Sequence, residues 1–160
     1  MGDIDGLRER VEAARRDYAE LAMEGWGEPG PVDEGTGERW DRGNVLGHVA
    51  EMLPFWTGQI HAVLDGTQGE MGRDPVGTAQ RRMGIDSGRE AGEDGLLTRV
   101  DEGMAGLEAL LADMSDADLD RPLRYRASDS LRDVDLRYAV EHILVGHLED
   151  HLGQLRTLDG

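Results

Sequence analysis

Residues 136–158 read LRYAVEHILVGHLEDHLGQLRTL, and this stretch decides the reading of the chain. Val140, Leu144, His147, His151 and Leu155 recur every three or four positions. That is the stripe of a helix with one face on a core. His147 and His151 stand one turn apart on the stripe, close enough to share a metal ion. His142 falls about 140° round the helix at ~100° per residue, so it reads as a surface or satisfied-core histidine. Gln154 shares the side of the histidine pair, where an amide can orient a water or a ligand; its plainer reading is an ordinary helix-surface residue.

Working outward, three more stretches carry helical spacing. Ile4, Leu7, Val11, Ala14, Tyr18 and Leu21 predict a helix over 4–22. A second starts near Asp41 to Asn44 and runs to Leu64, with Pro54 expected to kink or divide it. A third spans 96–113 with Leu96, Val100, Met104, Leu107 and Leu111 on one side. The segment 25–37 is a loop by its Gly and Pro content, and 66–95 reads as a long irregular section with a short helix near 76–83. Ser115 to Asp118 resembles a helix start for a single turn. Residues 120–129 read as a connection, and Ser130 to Asp133 as the cap that opens the last helix over 131–158. No strand signal competes. Four amphipathic helices of about 20 residues suit an all-α four-helix bundle, and the long crossover loops allow an order other than up-down-up-down. One domain over 1–160 is the expectation.

The second helix places Asn44, His48, Glu51, Met52 and Phe55 on one face. His61, 13 residues beyond His48, is turned about 220° away. Periodicity therefore nominates His48, His147 and His151, from two helices far apart in the chain, as sites in bundle cores are built. Against this stands the plainer reading of buried histidines satisfied by Asp or Glu. Three neutral imidazoles on one apolar interior each need a partner, and a metal supplies one for all three. Glu51, one turn beyond His48, is placed to hold an imidazole N–H or to act as a general base, unless it is a solvated surface Glu.

Composition narrows the function. Net charge is −17, with 17 Lys plus Arg, all of them Arg, so a phosphate backbone is repelled and nucleic acid is not an expected partner. No apolar run approaches the ~18 residues of a membrane span. The first residues, MGDIDGLRER, are acidic and carry no secretory pattern, so the cytoplasm is the expected location. There are 0 cysteines, hence no disulfide and no thiol nucleophile of the protein's own.

The segments ERWDRGNVLGHVAEMLPFW and VEHILVGHLEDHLGQL resemble the second and last helices of the DinB-like four-helix bundles. That superfamily includes mycothiol and bacillithiol S-transferases and the metal-binding domain of mycothiol-dependent maleylpyruvate isomerase. The resemblance implies a metal triad at His48, His147 and His151, and a homodimer. Three neutral ligands leave positions open on a divalent ion, with Zn²⁺ the first choice and Ni²⁺, Mn²⁺ or Fe²⁺ as alternatives. The expected activity is a thiol S-transferase, in which a mycothiol-like small-molecule thiol attacks an electrophilic substrate. Alternatives are hydrolysis by activated water, with Glu51 or Gln154 assisting, and a non-enzymatic metal-binding bundle. Arg73, Arg81 and Arg82 stand ready to bind an anionic part of a ligand, or else are plain surface charge. Trp26 and Trp40 belong to a pocket mouth, a dimer contact or the core.

Overall fold

Local signals set where the helices begin. A computed structural model describes residues 3–21, 25–127 and 130–158. Helix α1 (Asp3–Ala19) buries Ile4, Leu7, Val11, Ala14 and Tyr18, the positions expected from their spacing. Helix α2 (Arg42–Leu64) opens on a reciprocal cap: the Asp41 carboxylate accepts from the Asn44 amide, and the Asn44 side chain accepts from the Asp41 amide, both at 3.0 Å. Of the two expectations for Pro54, division of α2 is not met: the helix runs through it unbroken. Pro54 lies on the exposed face, where water can serve the carbonyl that loses its partner.

The section 66–95 is more ordered than its glycines imply. It holds β1 (Glu70–Gly72), α3 (Pro75–Gly88) and a single 3₁₀ turn (Arg89–Ala91). Asp74 caps α3 by accepting from the Gly77 amide at 2.7 Å, and Pro75 fills the first turn, where its missing donor costs nothing. Helix α4 (Gly92–Asp113) then starts earlier than the expected 96, and α5 (Asp116–Leu119) is the single turn anticipated after Ser115.

The fold is mostly helical, as expected, but the expectation of no strand is corrected by a small three-stranded sheet. Strand β2 (Pro122–Ala127) pairs antiparallel with β3 (Ser130–Asp135) and parallel with β1, in the order β1-β2-β3. In β2, Leu123, Tyr125 and Ala127 alternate with exposed Arg124 and Arg126, the two-residue period of a half-buried strand. The cap expected at Ser130 to Asp133 is therefore strand. The true cap is Asp135, whose carboxylate accepts from the Tyr138 amide at 2.9 Å.

From Asp135 the chain runs through a turn α6 (Leu136–Tyr138), a π-helical segment (Ala139–Val145) and α7 (Gly146–Leu158). The Gly146 amide reaches back five residues to the Glu141 carbonyl. A Cβ at Gly146 would stand 3.0 Å from that oxygen, so glycine suits this close approach. The wide turn buries Ala139, Val140, Ile143, Leu144 and Val145.

Leu7 of α1, Leu46 and Leu53 of α2, Leu107 of α4 and Leu148 of α7 meet in one apolar core. Tyr18 on α1 donates its buried hydroxyl to the Leu148 carbonyl at 2.7 Å, tying α1 to α7. Two contacts bring α3 onto α2. A Cβ on Gly47 would meet the Ile85 carbonyl oxygen at 3.0 Å, and one on Gly88 would meet the Gly47 Cα at 3.3 Å. Arg89 donates to both Asp41 oxygens at 2.6 Å, pinning the end of α3 to the start of α2. Among the described residues, no helix is long and apolar enough to cross a membrane.

Candidate functional site

His48 lies in the second turn of α2, and His147 and His151 in the first two turns of α7. The His48 and His151 rings meet edge to face with centroids 4.9 Å apart, and His147 stands 5.8 Å from His151. Trp40, just ahead of the α2 cap, covers the pair: its ring is 5.4 Å from His48 and stacks on His151 at 6.2 Å. His48 is buried at 7% exposure, His151 is partly buried and His147 is exposed. His61 and His142 lie apart and exposed, with His142 against Tyr138.

A hydrogen bond fixes the form of one inner ring, and a nearby carboxylate biases the other. The His151 Nδ1 is 3.1 Å from Gln154 Oε1. An amide oxygen only accepts, so Nδ1 carries the proton and Nε2 keeps its lone pair. The His48 Nδ1 faces Glu51 Oε2 at 3.5 Å, too long and poorly aligned for a proper hydrogen bond, and among the described residues this buried nitrogen has no other partner. A carboxylate also only accepts, so its charge favours the proton on Nδ1 of His48, which leaves the Nε2 lone pair open. Burial pushes both imidazoles toward neutrality. It lowers His48 against the opposing pull of Glu51, and it holds His151 at about 4, with nearby His48 adding to the effect.

Glu51 is itself clamped. Arg73 donates to its two oxygens at 2.6 and 3.0 Å and lies 4.0 Å over the Phe55 ring. Burial acts to raise the Glu51 carboxyl, but His48 and Arg73 outweigh it and hold it below its usual range. The three arginines named above from the 66–95 section thus separate. Arg73 is neutralised by Glu51, Arg81 lines the histidine pocket, and Arg82 lines a neighbouring open cleft with Tyr125 and Arg126.

The pocket has a volume of about 540 Å³, and its walls include Trp40, His48, Trp56, Arg81, His151 and Gln154, with His147 at the same opening. Residues 30–38 close one side. They form a tight turn in which Asp33 donates to the Glu38 carbonyl at 2.8 Å while its carboxylate accepts from the Gly35 and Thr36 amides. The run DEGTG (33–37) carries that turn signal in the sequence; nothing there shows that the turn folds over the histidines.

A family model described as the DinB superfamily matches residues 10–155. The chain belongs to the DinB superfamily. Neither a curated protein nor a solved structure gives a significant match. The matched stretch includes both segments that carry the DinB-like resemblance and all three nominated histidines.

The donor set fits a divalent ion in part as it stands. His48 and His151 are neutral, adjacent and each left with Nε2 free, which suits zinc and the later transition metals. Among the described residues, no three His, Asp or Glu side chains are already gathered closely enough to hold an ion. His147 is the outlying member, and its exposed side chain is free to change rotamer.

Proposed function

We propose that this protein is a metal-dependent transferase that joins a low-molecular-weight thiol to an electrophilic substrate. The observation that carries the reading is the meeting of two neutral imidazoles, 4.9 Å apart, in a pocket with room for small molecules. Membership of a superfamily that generally binds metal supports it. So does the lack of cysteine: a chain with 0 Cys must take its sulfur nucleophile from solution. On this reading the long helices form the superfamily's four-helix bundle, with the sheet as an addition.

His48, His147 and His151 are the residues that would hold the ion, with zinc the first choice and nickel, manganese or iron as alternatives. When bound, the ion would keep a thiol ionised near neutral pH. The chain's own residues do the rest. Gln154 fixes the His151 tautomer, and Glu51, held by Arg73, keeps a negative charge beside His48 Nδ1. His147 would complete the set from the rim by a change of rotamer. Trp40 and Trp56 supply apolar walls that shield the sulfur from water while it forms its bond to the electrophilic carbon and the leaving group departs.

The test uses untagged protein, its metal measured by elemental analysis. Metal-loaded protein incubated with mycothiol or bacillithiol and a chlorinated aromatic should consume free thiol. His147→Ala and His151→Ala should lose both metal and turnover, while His61→Ala and His142→Ala keep both. Stoichiometric metal with no thiol loss above background across several electrophiles would refute the transferase reading.

A further inference from the structure

We propose that Arg81 is a carboxylate receptor, so that one molecule taken by the pocket is a small organic acid with an apolar body, bound by its carboxylate beside the histidines. The inference takes the histidine pocket to be the substrate site, as proposed above. Its basis is the isolation of this one guanidinium. In a chain of net charge −17, most buried or half-buried arginines near the site are matched. Arg73 is held by Glu51 and Arg89 by Asp41. Arg81 is half-buried in the pocket wall, its Cζ 5.3 Å over the Trp40 ring, and among the described residues it forms no ion pair and no hydrogen bond.

A guanidinium kept from water without a counter-ion is costly unless something supplies one. The protein has candidates nearby and does not use them. Asp33 spends its carboxylate on the Gly35 and Thr36 amides. Glu38 lines the same pocket and favours the charge on Arg81 from a distance, without pairing with it. The five donors of Arg81 therefore remain available to a ligand, and their planar fork matches a carboxylate two bonds at a time.

Position gives the site its use. Trp40 is the shared neighbour: it carries Arg81 on its ring and touches both His48 and His151. An acid held by Arg81 lies along the Trp40 and Trp56 walls with its far end toward the imidazoles. A carboxylate suits the site better than a phosphate ester, because a single guanidinium in a strongly acidic protein offsets one negative charge and not two.

The test is calorimetry on full-length, chelator-treated protein with benzoate, neutral benzamide and phenyl phosphate as probes. Benzoate should bind without metal, and more tightly than the other two. Arg81→Gln should weaken it by about tenfold or more. Arg81→Lys, which keeps the charge and loses the fork, should fall between and serves if the Gln variant is unstable. Glu38→Gln should tighten benzoate by removing the competing charge. Equal binding of benzamide, tighter binding of phenyl phosphate, or unchanged benzoate affinity in both Arg81 variants would overturn the proposal. Benzoate binding that appears only after zinc is restored and ignores Arg81 would overturn it too, and would leave the transferase reading intact. Failure of the thiol assay alongside Arg81-dependent benzoate binding would refute that reading and leave this one.

Discussion

Replacing Gly47 by alanine tests how α3 is held against α2. Within one helix, Gly47→Ala and Gly58→Ala carry the same intrinsic benefit, about 1 kcal/mol, because glycine loses more backbone freedom on folding than alanine. Their surroundings differ. Among the described residues nothing lies within 4 Å of a Cβ built on exposed Gly58, whereas one on buried Gly47 meets the Ile85 carbonyl oxygen at 3.0 Å. That neighbour is backbone and cannot rotate away, so α3 itself must shift, at an overpacking cost of about 1–3 kcal/mol. Gly58→Ala should therefore stabilise by about 1 kcal/mol, raising Tm by about 2–4 °C for a chain of this size. Gly47→Ala should be neutral to destabilising by about 2 kcal/mol. Thermal melts followed by circular dichroism, run side by side, measure the difference. A Gly47→Ala protein as stable as Gly58→Ala would show that α3 is not seated on the α2 backbone, and the placement of Arg81 beside His48 would go with it.

Other outcomes follow from the same geometry. Glu51→Gln leaves Arg73 largely buried and unmatched, since the two side chains are 16% and 12% exposed. It should cost about 3 kcal/mol in urea denaturation, with partial recovery in the Glu51→Gln/Arg73→Met double variant; equal stability of wild type and single variant would contradict the clamp. Metal-free protein should lose stability in acid. His151 sits at about 4 when folded against about 6.5 unfolded, so the unfolded chain takes up the proton first. The contribution, up to about 3 kcal/mol, is present above the unfolded value and is lost as pH falls from about 6.5 toward 4. Urea midpoints should show a flatter slope over that window in His151→Phe than in wild type. Tyr18→Phe removes the buried bond to the Leu148 carbonyl and should cost about 1–2 kcal/mol; an unchanged midpoint would mean that carbonyl is served by another donor.

What the sequence made legible was set by how local the signal is. The α1 stripe and the start of α2 near Asp41 to Asn44 are carried by residues a few positions apart, and both stand as read. The nearness of His48 to His151 was also readable, because each lies on the apolar face of its own helix. The sheet was missed because Leu123, Tyr125 and Ala127 alternate with arginines over only six residues. The start of the last helix was misplaced because Ser130, Asp133 and Asp135 are all cap-forming types, and the pairing of β3 with β2 is what disqualifies the first two. The Glu51–Arg73 clamp joins residues 22 apart through the turn into α3, and no spacing rule reports it.

The π-helical segment bears on how relatives of this chain should be compared with it. A five-residue reach between Gly146 and Glu141 is what a helix adopts when it carries one residue more than regular winding needs. Excising a single position between 139 and 145 would let the coil tighten, and everything after it would swing by roughly 100°. Histidines matched to His147 and His151 by counting from β3 in a chain without that extra residue would then look outward. Any alignment drawn through this region has to place its gap inside the widened turn before ligand positions are transferred across it.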